Sequence, residues 1–337
     1  MTRAEILPTH TPALFDVAVA RAAEVLRSGE VVALPTETVY GLAGNALDAD
    51  AVEKIFSAKG RPAHNPIIVH VSDLAMAKSC AAMWPEIANK LAAAFWPGPL
   101  TVVLPRSAEI PDIVTAGGAT VGIRWPSHPI MQAVIRACGF PLAAPSANRS
   151  NELSPTNAEH VERSLGDRIA LMIDGGQSQV GIESTVLDIS VAPPRLLRPG
   201  MVHEESLVAV AGVLDVHGAS SIGTLRSPGL LRKHYAPRAR LVVLAWRNDR
   251  EFAERLAATQ NMVPLQRVFV IAHTHIPLVA NVGGVSVIPH DAEAFARALY
   301  SELHRCDEAG AELIVVEAVP ASAEWRAIAD RLQRAGA

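Results

Sequence analysis

The stretch "DADAVEKIFSAKGRPAHNPIIVHV", Asp48 to Val71, holds a helix, a stop, a turn and a strand in one short run. Residues 48–60 read as a helix, with Asp48 or Asp50 as its cap and Gly60 as its stop. "NPIIVHV" then reads as a strand. Between them Lys59 and Arg61 flank Gly60, and Pro62 stiffens the turn. Two cations fixed beside a buried strand call for an anion. The turn alone does not distinguish a nucleotide from RNA.

The surrounding chain sets limits on that anion. It has 337 residues, half of them hydrophobic, and a formal net charge of −4. That length suggests roughly two domains, with enough apolar material for real cores. A slightly acidic balance argues against a dedicated nucleic-acid coat or a polybasic membrane binder. Cys80, Cys138 and Cys306 lie far apart with no CxxC pair, which argues against a structural zinc or a dithiol motif and fits a reducing cytoplasm. The N-terminus lacks a signal-like apolar core, and the apolar runs are strand-sized.

Other segments extend the pattern. Pro12 to Gly29 reads as a helix, "EVVALP" (30–35) as a strand, and a helical region ends at "KLAAAFWPG" (90–98). "PLTVVLP" (99–105) and "ATVGIRWP" (119–126) read as strands, "HPIMQAVIRACG" (128–139) as a helix. "FPLAAP", "ALMID" and "STVLDI" read as further strands. The order is mixed rather than strictly alternating, so the expectation is an α/β domain with a twisted mixed sheet and flanking helices. Residues 204–240 have weak periodicity and read as a long connector. From Leu241, strands and helices alternate, as in a smaller Rossmann-like parallel-sheet domain without G-x-G-x-x-G. The expected division is 12–202, a linker or lid at 203–240, and 241–337.

Polar residues follow several strands. "VVALP" runs into Thr36, Glu37, Thr38 and Tyr40, "PIIV" ends at His70, "TVGI" at Arg124, and "PLAAP" runs into Ser146 and Asn148. Each alone reads as turn chemistry; together they suggest one cleft beyond strand carboxyl ends. Arg124 ends an apolar strand, where it needs a partner: a ligand carboxylate or phosphate, or an internal Glu37, Glu183 or Asp174. Walker, G-x-S-x-G and H-E-x-x-H motifs are absent, and His273 with His275 reads as loop histidine rather than metal ligand.

"PTETVYGLAGNA", "KGRPAHNPIIVHV", "FWPGPLTVVLP", "VGIRWPSHP", "PLAAPSANRSNELSPT", "IDGGQSQVGIESTVLDI" and "LRPG" occur in this order between Leu34 and Gly200. The ordered set resembles the YrdC-like domain of threonylcarbamoyl-AMP synthases. "SPGLLRKHYAP" (227–237) and the trailing domain resemble that family's two-domain form. Leu230, where the family usually has Met, and the glycine placement in "GLAGNA" depart slightly from its pattern.

The resemblance implies an enzyme that makes threonylcarbamoyl-AMP and pyrophosphate from L-threonine, bicarbonate and ATP with Mg2+. A downstream transferase complex would use the product to modify tRNA beside the anticodon. The resemblance places Lys59, Arg61, Asn65, Thr120, Ser146, Asn148, Ser154, Arg198 and Tyr235 around ATP, with Lys59 and Arg61 catalytic. It places Thr38, His70, Arg124, Ala144 and Ser184 around threonine, with Arg124 on its carboxylate. It leaves magnesium ligands and direct tRNA binding open. The alternative from another class is an RNA-binding YrdC-like module without this activity, and a third is an amino-acid-binding regulator without turnover.

Overall fold

The Asp48 carboxylate accepts the Asp50 amide at 3.0 Å, which settles the cap of the helix in the opening stretch. Gly60 ends that helix at φ 61°, in the left-handed region where glycine is favoured. The computed structural model describes residues 3–62, 64–215, 235–278 and 280–337. Two compact units divide the chain. Residues 151–153 group with the C-terminal unit, and the rest up to 230 with the first.

In the first unit the strands are β1 (Glu5–Pro8), β2 (Val32–Leu34), β3 (Gly41–Asn45), β4 (Ile68–His70), β5 (Leu100–Pro105), β6 (Thr120–Arg124), β7 (Leu142–Ala143), β8 (Leu171–Asp174), β9 (Thr185–Asp188) and β10 (Arg195–Arg198). They form one mixed sheet in the order β1-β8-β2-β3-β7-β4-β6-β5-β9-β10. The helices are α1 (Pro12–Arg27), α2 (Ala49–Lys59), α3 (Leu74–Ser79), α4 (Glu86–Phe95), α5 (Asp112–Thr115), α6 (Pro129–Cys138), α7 (Ala158–Leu165) and α8 (Glu204–Ala211).

The strand pleat sorts the core. Leu42, Val69, Val102, Ala143, Ile123 and Leu187 turn to one face and pack with Val52 and Ile55 of α2, Leu91 of α4 and Leu207 of α8. Val32, Leu34, Ala43, Leu142 and Ala144 turn to the other, under Ala22 and Leu26 of α1 and Val134 and Ile135 of α6. The expected mixed α/β architecture is therefore present.

Three features differ from the sequence reading. β1 lies before residue 12 and pairs with β8 at the sheet edge. β3, in the glycine-bearing "GLAGN", is a central strand. A Cβ on Gly44 would come within 3.2 Å of Ala51 O and Ile55 Cδ1, so glycine permits the close approach of α2. Residues Glu204–Ala211, read as connector, form α8, whose Leu207 is fully buried in the first unit's core. Burying one leucine contributes roughly 1.5–3 kcal/mol, enough to hold such a short helix down. The expected lid segment at 216–234, with His234 and most of "SPGLLRKHYAP", lies outside the described residues.

The second unit comprises β11 (Arg240–Leu244), α9 (Asp249–Thr259), β12 (Val268–Ala272), β13 (Gly284–Val287), α10 (Ala292–Glu308), β14 (Leu313–Glu317) and α11 (Arg326–Ala335). Its four strands are all parallel, in the order β11-β14-β12-β13. Glu317 accepts the backbone N–H groups of His273, Thr274 and His275, and His273 Nε2 lies 3.2 Å from the Ala318 carbonyl. Here the histidine pair belongs to a tied-down loop. All three cysteines are buried, and burial pushes their thiols up, to about 11 for Cys80 and Cys138 and about 12 for Cys306.

Candidate active site

The cluster under α1 and α6 ends at Leu142 and Ala144 of β7 and its exit. Beyond β7 the same sheet face carries polar groups instead. His70 on β4 sits in register beside Arg124 on β6, and Ile68 beside Gly122. Gly122 faces Val103 of β5, and Thr101 lies two residues back on the same side. Thr101 faces Val186 of β9, which in turn faces Arg198 of β10. His70, Arg124 and Thr101 thus share one face through the pleat, and a register shift between Leu196 and Arg198 brings Arg198 opposite Val186 on that face.

Strand directions qualify the expectation of a cleft beyond carboxyl ends. β2 is antiparallel to β3, β3 to β7 and β7 to β4, while β4 and β6 are parallel. The carboxyl ends of β2 and β7 therefore point opposite to those of β4 and β6. The groups meet because the Arg124 side chain reaches back across the sheet to the loop after β2. Its Nη1 donates to Thr38 Oγ1 at 2.8 Å, and its Nε to the Gly98 carbonyl at 3.3 Å. Its Nη2 lies 2.8 Å from Glu37 Oε2, with both side chains about 95 % buried.

This pair is in contact but off-axis, so Arg124 Nη2 and Glu37 Oε2 each keep hydrogen-bonding capacity. Of the three internal carboxylates open to Arg124 in the sequence, Glu37 is the partner the fold supplies. Burial pushes the Glu37 carboxyl up, but the Arg124 charge and the Ser127 amide, 3.0 Å from Oε1, outweigh it and hold the pKa low. Thr36 supports the loop: its hydroxyl sits 2.9 Å from that of Thr38 and donates to the Val39 carbonyl at 2.6 Å. The Ala144 N–H goes to the Ile68 carbonyl at 3.1 Å, which leaves the Ala144 carbonyl for any ligand contact.

His70 is buried, and its Nδ1 has no hydrogen-bond partner among the described residues. Burial first, then the Arg124 charge, pushes its pKa down to about 3 against the opposing pull of Glu37. A depressed histidine pKa stabilises the fold above its unfolded value of 6.5, and that contribution drains away as pH falls from 6.5 toward 3. The stability of the wild type relative to His70→Gln should therefore fall by about 1.4 kcal/mol per pH unit across that window. Urea titrations at several pH values check this; a constant difference would rule out a neutral buried imidazole.

Each of the cations donates to backbone carbonyl oxygens. Lys59 Nζ donates to the carbonyls of Ser146 and Asn148. Arg61 donates to the carbonyls of Asn65 at 3.0 Å and Pro66 at 2.7 Å. The Asn65 side chain is fully buried, and neither of its amide atoms has a partner among the described residues. Arg198 donates to the Ser184 carbonyl at 3.1 Å and to its hydroxyl at 3.2 Å. Ser154 is buried, 2.5 Å from Glu183 Oε1.

Of the residues expected around threonine, Thr38 bonds Arg124 and His70 sits in register beside it, Ala144 bonds Ile68 two residues before His70, and Ser184 bonds Arg198, a residue expected beside ATP. Those expected around ATP fall into a Lys59–Ser146–Asn148 group, an Arg61–Asn65 group and Arg198. Thr120, half-buried, begins β6 on the Gly122 and Arg124 face. Tyr235 belongs to the second unit, buried at φ 61°, with Tyr300 at 6.1 Å and the Arg331 guanidinium 5.6 Å from its ring. Two groups of the site carry no ligand role in the sequence reading. Glu37 enters there only as a salt-bridge partner. Thr101 enters as one residue of a strand; a lone hydroxyl in "PLTVVLP" is the available signal.

Residues 24–200 match a family described as telomere recombination, and residues 202–337 match the threonylcarbamoyl-AMP synthase C-terminal domain. The threonylcarbamoyl-AMP synthase of Pyrococcus abyssi is 40% identical over 320 residues, covering 93% of this chain and 92% of that protein. That of Bacillus subtilis is 42% identical over 325 residues, covering 95% and 93%. A crystal structure of P. abyssi Sua5 complexed with L-threonine superposes with a TM-score of 0.90 at 37% identity, covering 99% of this chain and 98% of that one. The chain thus belongs to the threonylcarbamoyl-AMP synthase family, in the form that carries the C-terminal domain.

Proposed function

We propose that this chain forms threonylcarbamoyl-AMP and pyrophosphate from L-threonine, bicarbonate and ATP. The observation that carries the reading is the buried, off-axis Glu37–Arg124 pair beside a neutral His70 whose Nδ1 has no partner among the described residues. A single buried cation would suit any anion. A cation and an anion side by side, each with bonding capacity left, suit an amino acid that carries both charges. The same face continues to Arg198, and the Lys59 and Arg61 turn supplies positive charge for a triphosphate.

In this mechanism Arg124 holds the threonine carboxylate and Thr38 steadies the guanidinium. The threonine amine captures carbon dioxide derived from bicarbonate, losing a proton to give a carbamate. A carbamate oxygen attacks the α-phosphorus of ATP in line, the bond to the β-phosphate oxygen breaks, and pyrophosphate leaves. The protein contributes position and charge rather than a nucleophile. Lys59 and Arg61 offset charge on the phosphates, and Asn65 and Asn148 orient them. Magnesium would accompany ATP as part of the substrate and would offset charge on its phosphates.

Among the described residues no helix is long and apolar enough to cross a membrane, and the proposed setting is the cytoplasm. There the product would pass to a transferase that modifies tRNA. The purified chain should release pyrophosphate from ATP only when threonine and bicarbonate are both present. Release without threonine, or none from folded protein, refutes the reading.

A further inference from the structure

Ser184 and Arg198 fall in different halves of the proposed site, one beside threonine and one beside the nucleotide. Yet Arg198 donates to both the carbonyl and the hydroxyl of Ser184. A third group completes the joint. The Thr101 hydroxyl lies 2.8 Å from the Ser184 hydroxyl, and Thr101 is fully buried.

The rotamer of Thr101 is set by its neighbour on β6. A Cβ on Gly122 would lie 3.2 Å from Thr101 Cγ2, so the methyl fills the space that glycine leaves. The hydroxyl is then turned toward β9 and Ser184. A β-branched side chain has few alternatives at χ1, which makes this a stiff support.

Either hydroxyl can be the donor in this bond, and the two directions leave different groups for a ligand. A serine hydroxyl accepts two hydrogen bonds and donates one, whereas a guanidinium only donates. Arg198 fills one acceptor position of Ser184 Oγ. If Thr101 fills the second, the single Ser184 proton is left to point at a ligand oxygen. If Ser184 donated to Thr101 instead, no proton would remain for the ligand.

We infer that Thr101 is a positioning residue that holds Ser184 as a hydrogen-bond donor to the amino-acid substrate and joins it, through Arg198, to the nucleotide side. This rests on the synthase reading of the site. Arg198 keeps its 3.1 Å bond to the Ser184 carbonyl whatever stands at position 101, so the nucleotide side should feel a change there less.

The test compares wild type, Thr101→Val and Thr101→Ser by pyrophosphate release and by calorimetric titration with threonine. Valine keeps the shape and removes the donor, and serine returns it. Thr101→Val should raise the threonine KM and Kd roughly tenfold, with kcat and the ATP KM within about threefold of wild type. Thr101→Ser should recover most of the threonine affinity. A threonine KM within about twofold of wild type in Thr101→Val overturns the proposal. So do matched rises in both KM values that serine does not reverse, since they mark a merely structural role. A wild type that neither binds threonine nor releases pyrophosphate overturns the underlying site reading, and the unsubstituted control tells that failure apart.

Discussion

Arg124→Ala should lose both stability and threonine binding, by separable amounts. The guanidinium is the charge partner of Glu37, and both are buried. Removing one member of a buried pair leaves the other uncompensated, which typically costs about 3–5 kcal/mol. The second loss concerns the ligand. Truncating a buried partner of a charged group is worth roughly 2–5 kcal/mol, at least about thirtyfold in affinity. Adding Glu37→Gln to Arg124→Ala removes the orphaned carboxylate. The double variant should recover much of the stability and none of the threonine affinity. Denaturant titration and calorimetry measure the two quantities independently. Threonine affinity unchanged in Arg124→Ala, or ATP affinity weakened as much as threonine, would remove Arg124 from the amino-acid side.

Gly200→Ala should be the most damaging glycine substitution near the site. A Cβ there would collide with the Thr185 amide nitrogen and lie 2.7 Å from Thr185 Oγ1 and 2.8 Å from the Ser184 carbonyl carbon. None of these atoms can move freely. Thr185 is paired in β9, and its hydroxyl bonds both the N–H and the carbonyl of Val202. The strain falls on Ser184 and, through it, on Arg198. Overpacking of this kind costs about 3 kcal/mol or more when the obstacle is backbone. Gly60→Ala is the contrast. Among the described residues nothing lies within 4 Å of its Cβ, and the φ of 61° is what resists, so it should cost about 1 kcal/mol. Melting curves of the two variants test the ranking. Equal losses would mean that residue 200 can draw back from β9 and leave room for a methyl group.

Local chemistry was legible in the chain wherever its cause is local. The helix over 48–60, its Asp48 cap and its Gly60 stop depend on neighbours a few residues apart. The same holds for the Pro12 helix start and for α9, one of the helices in the alternating stretch after Leu241. The alternation after Leu241 points to a parallel sheet where helices link the strands, whereas β12 and β13 pair in parallel with no helix between them among the described residues. β3 escaped because its glycines look like turn residues until α2 is seen packed against them.

The site divides along the same line. By itself the sequence determined which residue types are available: cations on stiff turns, hydroxyls and an amide after strands, and an arginine ending an apolar strand. Their ordered motifs also marked the family. Only the tertiary structure decided who faces whom. Glu37 and Arg124 are 87 positions apart in the chain, Thr101 and Ser184 are 83 apart, and each pair meets through sheet register and side-chain reach. A one-residue slip in that register would turn His70, Arg124 and Thr101 into the opposite core, a constraint that belongs to strand pairing and not to any segment alone.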